Sequence, residues 1–206
     1  MALSLRICTT VFAASVLASG TFAQKAGIGL KGGPLAGRTP TELLRTTWTP
    51  GLTGGVYLPW GVGPKMEIQP EILIAAMGSG FVEPDDDRYS IRSIYLQIPV
   101  SFKLYFSNTM NIHAGVQASR LIQAQRVDGD DRRDFTHRLN RMDYGLIGGL
   151  GADLRRGLDF TARYIYGMTP VFSNDQILFP KNQAVSLTVG YRLTQMSVAN
   201  KSRRRR

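Results

Sequence analysis

Apolar and polar residues alternate one by one over eight separate segments of this chain. In the segment at 185–193, apolar side chains take the odd positions, and Ser186, Thr188, Gly190 and Arg192 lie between them. This period of two is typical of β-strands that present unlike faces. Beyond residue 23, the longest uninterrupted apolar run covers only 72–77, far short of the ~20 residues that a membrane-spanning helix needs. If the chain lies in a membrane, it therefore has to form a closed β-barrel. The other alternating segments lie at 26–33, 52–59, 66–74, 95–106, 112–119, 143–154 and 158–166.

Short and long connections alternate between these segments. Tight turns of turn-forming residues lie at 60–64, 107–109 and 155–157. Outer-membrane barrels combine short periplasmic turns with long extracellular loops in this way. We therefore predict an all-β fold, an eight-stranded antiparallel up-and-down transmembrane β-barrel in the bacterial outer membrane, with both termini periplasmic. The long, polar connections lie at 34–50, 78–91, 121–141 and 168–182.

The polar residues of the alternating segments, which we call the polar set, predict what fills the barrel. In an outer-membrane barrel the apolar set faces lipid and the interior is polar. Acids and bases nearly balance in the polar set, which favours paired networks, because a lone charge inside a narrow lumen is costly. Asp143 belongs to the set as well. We predict a structural polar network in the lumen formed by Lys31, Glu67, Glu71, Lys103, His113, Asp153, Asp159, Arg163 and Arg192.

Aromatic residues near the ends of the strands predict two interfacial girdles. Such girdles mark where a barrel leaves the apolar part of the bilayer. The girdle residues predicted near the short turns are Trp60, Tyr105, Phe106 and Phe160, and those near the long loops are Tyr89, Tyr166 and Phe172.

The two ends of the chain differ from the middle. Residues 1–23 have the features of a secretory signal peptide: Arg6 precedes a largely apolar region at 7–17, and Ala23 fits the cleavage position. We expect the barrel domain at 24–193 and a basic, disordered periplasmic tail at 194–206. The tail carries five positive charges at 201–206, half of the formal charge of +10. Because a secreted chain meets little nucleic acid, we expect no nucleic-acid partner.

Several stretches are similar to a known family. They are Gly27-Ile28-Gly29-Leu30-Lys31-Gly32-Gly33, Ile68-Gln69-Pro70-Glu71-Ile72-Leu73, Tyr95-Leu96-Gln97-Ile98-Pro99-Val100, Tyr144-Gly145-Leu146 through Gly151-Ala152-Asp153, and Leu187-Thr188-Val189-Gly190-Tyr191-Arg192-Leu193. With these, the chain resembles the PorT-like small outer-membrane β-barrels of Bacteroidetes over nearly all of 25–193. The resemblance implies an eight-stranded barrel that the outer-membrane assembly machinery inserts, with no enzymatic activity and no catalytic residues. One departure is that such chains usually stop at the last strand, whereas this one continues for thirteen residues.

The functional prediction is a non-enzymatic integral outer-membrane protein with a side-chain-filled, polar lumen. It would act through its extracellular loops or partners, in the envelope, in adhesion or as an accessory of secretion. We predict no catalytic, cofactor-binding or metal-binding residues. The expected partners are outer-membrane lipid and lipopolysaccharide, the barrel assembly machinery, and an envelope or secretion-system protein. Two alternatives stay open: a soluble periplasmic, lipocalin-like barrel that carries a small apolar ligand, and a narrow channel whose conductance depends on Lys103 and Glu71.

Two loop features complete the predictions. Thr39-Pro40-Thr41-Glu42 fits a capping box with proline at the first helical position, which predicts a short helix at about 40–46. Acidic residues cluster at 83–87 and 128–134. We interpret both clusters as solvated loop charge rather than cation sites, because the spacing fits no complete calcium loop.

Overall fold

The computed structural model describes residues 27–41, 44–82, 88–129, 131–154, 156–172 and 180–195. These residues form one antiparallel sheet and a short 3₁₀ turn at Thr136–Arg138. The predicted signal peptide and residues 196–206 of the predicted tail lie outside the described residues. The strands are β1 (Gly27–Arg38), β2 (Arg45–Tyr57), β3 (Trp60–Gly63), β4 (Met66–Val82), β5 (Arg88–Tyr105), β6 (Met110–Asp128), β7 (Asp131–Asp134), β8 (Met142–Asp153), β9 (Leu158–Pro170) and β10 (Lys181–Gln195).

Eight of these strands close into a ring. Each long strand pairs with the next long strand along the chain, and β10 pairs with β1, with Gly27 opposite Gln195 and Arg38 opposite Gln183. The short strands β3 and β7 pair only with β4 and β6. The predicted eight-stranded antiparallel up-and-down barrel is therefore confirmed. In the part of the chain that the structure describes, no helix is long and apolar enough to cross a membrane.

The two ends of the barrel differ in their connections. Tight connections at 64–65, 106–109, 154 and 156–157 lie at one end, together with Gly27 and Gln195, and we call it the short-turn end. The opposite end, which we call the long-loop end, holds the described connecting residues 39–41, 44, 129, 135–141, 171–172 and 180. Strand β10 ends at Gln195, two residues past the expected domain boundary at 193.

Side chains alternate between a buried inner face and an exposed outer face. On β4, Glu67, Gln69 and Glu71 are buried, whereas Ile72 and Ile74 are 52% and 57% exposed. The outer faces of the other long strands are mostly apolar in the same way, and Arg92 of β5 and Arg120 of β6 are among the exceptions. This is the polarity of a barrel that meets lipid with its outer wall.

The predicted helix at about 40–46 is wrong, because β2 begins at Arg45. Residues 45–49 pair with 78–82 of β4. Pro40 and Thr41 are not helical, and residues 42–43 lie outside the described residues. The capping pattern is a local preference, and pairing with a neighbouring strand outweighs it here.

Candidate functional site

Glu71 forms the centre of a charged network inside the short-turn half of the barrel. Its Oε1 accepts hydrogen bonds from Lys31 Nζ at 3.0 Å, Gln69 Nε2 at 2.6 Å and Arg163 Nη2 at 2.7 Å. Its Oε2 accepts a second bond from Arg163, through Nη1 at 3.0 Å. This two-pronged contact is the strong geometry for a guanidinium and a carboxylate. One buried carboxylate therefore joins β1, β4 and β9 across the lumen.

A second group of ion pairs lies closer to the short turns. Lys103 Nζ is 3.7 Å from Glu67 and 3.4 Å from Asp153. Arg192 Nη2 is 3.2 Å from Glu67 and 3.5 Å from Asp153. The Tyr105 hydroxyl donates a hydrogen bond to Asp153. Two cations thus share two carboxylates, with a tyrosine hydroxyl as an additional donor.

Asp159 depends on a tyrosine for its hydrogen bond. The hydroxyl of Tyr57, a fully buried side chain, donates to Asp159 Oδ2, and Lys31 Nζ lies 4.8 Å from the centre of the Tyr57 ring. Gly190 leaves the space that Asp159 occupies, because a Cβ there would lie 2.6 Å from Asp159 Cγ. With Asp159, the lumen network contains four anions and four fixed cations, so its formal charge sums to zero.

His113 is the ninth predicted network residue, and its environment differs from that of the other eight. Its side chain is buried on the inner face, but neither ring nitrogen has a hydrogen-bond partner among the described residues. It packs against Gly149, where a Cβ would lie 2.9 Å from His113 Nε2. The structure thus brings eight predicted residues into ion pairs or hydrogen bonds and leaves His113 beside them.

The long-loop half of the lumen corrects the expectation of a polar interior throughout. There, buried apolar side chains from seven strands pack together, and Leu139 and Val171 from the connections cover them. Asp143 lies at this end, where it accepts a hydrogen bond from Asn182 at 2.9 Å. We call this group the apolar plug, and its buried members are Leu35, Ala75, Met77, Phe81, Ile91, Tyr95, Leu121, Ala124, Leu139, Ile147, Ile165, Val171 and Ala184.

The sequence signals this plug where the alternation fails. In the run 72–77 both faces of β4 are apolar, and Ile147 and Ile165 occupy positions of the otherwise polar set. Two small cavities lie in the plug and at its junction with the charged network. Their volumes are about 20 and 10 Å³, each about the space of one water molecule.

The predicted aromatic girdles are right at some positions and wrong at others. Trp60, Phe106, Phe160 and Tyr166 are exposed on the outer wall. Tyr105 instead points inward to Asp153. At the long-loop end, Tyr89 stacks on Phe81 and Phe172 packs edge-on against Phe135, so both contact the plug.

No group of three or more potential metal ligands occurs among the described residues. The acidic cluster at 83–87 and Asp130 lie outside those residues. Asp128 and Asp131 form exposed ion pairs with Arg126 and Arg133, at 3.4 and 2.7 Å. These pairs are consistent with solvated loop charge.

Residues 22–173 match a family described as outer membrane protein beta-barrel domain. The chain belongs to this family. It is an integral protein of the bacterial outer membrane, and the apolar outer wall is the surface that meets lipid. This excludes the soluble, lipocalin-like alternative. The match is to the wider family, so membership of the PorT-like group stays a prediction.

Three solved outer-membrane proteins are similar to this chain at low sequence identity. Neisserial surface protein A, from Neisseria, is 11% identical with a TM-score of 0.53, over 81% of this chain and 97% of that one. Ail of Yersinia pestis, solved with the heparin analogue sucrose octasulfate, is 12% identical with a TM-score of 0.48, over 82% and 99%. OprG from Pseudomonas aeruginosa is 13% identical with a TM-score of 0.42, over 82% and 96%. No curated protein sequence matches the chain.

Proposed function

We propose that this barrel is a non-catalytic, non-conducting outer-membrane protein that acts at its long-loop end, in the envelope, in adhesion or as an accessory of secretion. The observation that carries the proposal is the filled lumen. Charges that sum to zero fill one half, and the apolar plug fills the other. A lumen filled by its own side chains leaves the loops and the outer wall as the surfaces available to partners.

The lumen carboxylates are engaged in ways that leave them unsuited to catalysis. Glu67 and Glu71 are buried and paired with cations, so neither is available as a general acid or base for a substrate. His113 is buried beside Gly149, and the exposed His137 lies in the 3₁₀ turn of a loop.

The proposed orientation places both termini in the periplasm. The first and last described residues pair at the short-turn end, and secretion delivers the chain from the periplasmic side. Insertion by the barrel assembly machinery fits this arrangement, with β10 as the closing strand. The longer connections then reach the cell exterior, where an envelope or secretion-system partner would bind.

Conductance in planar lipid bilayers tests the filled lumen. We expect no discrete current steps from the inserted protein, whose folded state is first verified by its shift in gel mobility on heating. Steps that disappear in Lys103→Gln or Glu71→Gln, but persist in the loop variant Arg133→Gln, would establish a channel and overturn the proposal.

Cysteine labelling tests the orientation. The only cysteine is Cys8, within the predicted signal peptide, so single cysteines in the barrel report one position each. Asp128→Cys at the long-loop end should react with a membrane-impermeant maleimide on intact cells. Asn108→Cys, in a short turn, should react only after the outer membrane is permeabilised. The reverse pattern would contradict the orientation.

A further inference from the structure

The apolar outer wall ends abruptly along β5. Its outward side chains are apolar from Leu104 up to Ile94, and the next two outward positions toward the long-loop end are Arg92 and Ser90. Strand pairing extends this edge sideways: Arg92 lies opposite Gly78 of β4 and Gln125 of β6. On β6 the outer face turns polar sooner, because the exposed Arg120 lies opposite Leu96 and Gln123 opposite Ile94, so the change from apolar to polar runs obliquely across these two strands. We take this change as the level at which lipid acyl chains give way to headgroups.

A groove in the outer wall straddles this line. Its volume is about 330 Å³, and it crosses strands from β2 to β7. Pro50, Ala76 and Ile94 line it on the apolar side, and Arg92, Gln125 and Arg132 line it on the polar side. Small residues of the wall, Gly51, Ala76 and Gly78, line its floor.

Two cations in this groove are exposed and unpaired. Neither Arg92 nor Arg132 makes an ion pair within the described part of the chain, whereas the neighbouring Arg133 pairs with Asp131 at 2.7 Å. Arg132 lies on β7 opposite Val127, which in turn lies opposite Ser90 of β5. Arg132 is therefore two strands away from β5, roughly 10 Å at the usual strand spacing. Two extended arginine side chains can reach a common group over that distance.

One carboxylate lies near these cations. Asp134 is opposite Gln125, in the row of Arg92, and its Oδ1 accepts a hydrogen bond from the Thr136 amide at 2.8 Å. Hydrogen bonding to Thr136 lowers the pKa of Asp134 below its ordinary value. The carboxylate is therefore charged and held toward its own loop. The groove still has an excess of positive charge on its polar side, above an apolar floor.

We propose that this groove binds lipid A, the phosphorylated acyl glycolipid of lipopolysaccharide. Arg92 and Arg132 hold a phosphate, and an acyl chain lies along Pro50, Ala76 and Ile94. Guanidinium groups bind phosphate oxygens through paired N–H donors, and the apolar floor continues into the lipid-facing wall. The assignment to lipid A rests on the proposed orientation, which places the long-loop end in the outer leaflet.

Native mass spectrometry of the folded protein in detergent tests the site. The probes are diphosphorylated lipid A, the same lipid without its phosphates, and phosphatidylglycerol. We expect lipid A adducts on the wild-type protein and about tenfold weaker binding for Arg92→Gln and for Arg132→Gln, the loss expected for a charged hydrogen-bond donor. The dephosphorylated lipid should bind as weakly to the wild-type protein as lipid A does to the double variant Arg92→Gln/Arg132→Gln.

Arg133→Gln is the matched control. It removes the same charge one residue away, from a side chain that pairs with Asp131 instead of lining the groove, and lipid A binding should be unchanged. Equal losses in all three variants, or none, would overturn the site. If phosphatidylglycerol binds as tightly as lipid A and depends on the same two arginines, the lipid A assignment is wrong. The cysteine labelling described above reports the orientation independently, so failure of the groove and failure of the orientation are distinguishable.

Discussion

In the short-turn half of the lumen, side chains of opposite charge fill the space, whereas in the long-loop half apolar side chains do so. In the short-turn half, Glu71 makes four hydrogen bonds to three partners. In the long-loop half, the side chain of Leu121 makes only packing contacts within the plug. The charged half depends on direction and pairing, so one lost partner leaves an uncompensated charge. The apolar half depends on volume, so a lost group leaves a cavity. One barrel therefore contains two kinds of interior with different sensitivities.

The largest expected effect is in the charged half. Glu71→Gln removes the anion between Lys31 and Arg163, and leaving buried cations unpaired typically costs about 3–5 kcal/mol. We expect the free energy of unfolding, measured by urea titration in lipid or detergent, to fall by that amount. The double variant Glu71→Gln/Arg163→Gln restores a zero sum of charge and should lose less than the two single variants together. Strict additivity would show that the pair is not coupled.

The plug should respond to a loss of volume. Leu121→Ala is expected to lower the free energy of unfolding by about 2–4 kcal/mol, because packed neighbours only partly fill the cavity. The control is Leu146→Ala on the outer wall, where Leu146 is 49% exposed and lipid can fill the space. Its loss should be clearly smaller. Equal losses at both positions would mean that the plug is not tightly packed.

Loss of a single hydroxyl should lower the free energy of unfolding by less than Glu71→Gln or Leu121→Ala does. Tyr57→Phe removes the hydrogen bond to Asp159, and a bond to a charged group contributes about 1.5–3 kcal/mol. Tyr191→Phe changes an outward tyrosine that is 50% exposed and serves as the control in the same unfolding titration. If Tyr57→Phe behaves like Tyr191→Phe, Asp159 obtains its stabilisation from elsewhere.

The smallest effect is expected for an ion pair outside both halves. Asp131→Asn breaks the contact with Arg133, whose side chain is 77% exposed. Because solvent screens such pairs, we expect a change within about 1 kcal/mol. A loss as large as that of Glu71→Gln would refute the view that burial decides how much a pair matters in this barrel.

The strands, turns and facing of the charged residues follow from the sequence because a period of two is a local property. All nine predicted lumen residues lie on the inner side of the wall. Their pairing could not be predicted, because ring closure decides it. Glu71 contacts Arg163, 92 positions away, whereas Lys103 contacts Glu67 and Asp153.

The plug and the first loop show two other limits. The run 72–77 and the isoleucines at 147 and 165 carried the signal for an apolar half, but the polar set around them concealed it. Leu139 and Val171 enter the plug from connections, where no periodic pattern exists. The capping pattern at 39–42 predicted a helix, and the partner strand that overrides it lies more than thirty residues away.

The pairing of the first strand with the last has a consequence for how each copy of the protein is made. A chain that stops before Lys181 has no β10, so the outer edges of β1 and β9 keep unpaired backbone groups. Each such group costs several kcal/mol in hydrocarbon, and an open edge also templates association with other strands. We therefore expect a chain truncated before Lys181 not to insert as a closed barrel. Closure of the barrel therefore requires that the chain be complete through β10.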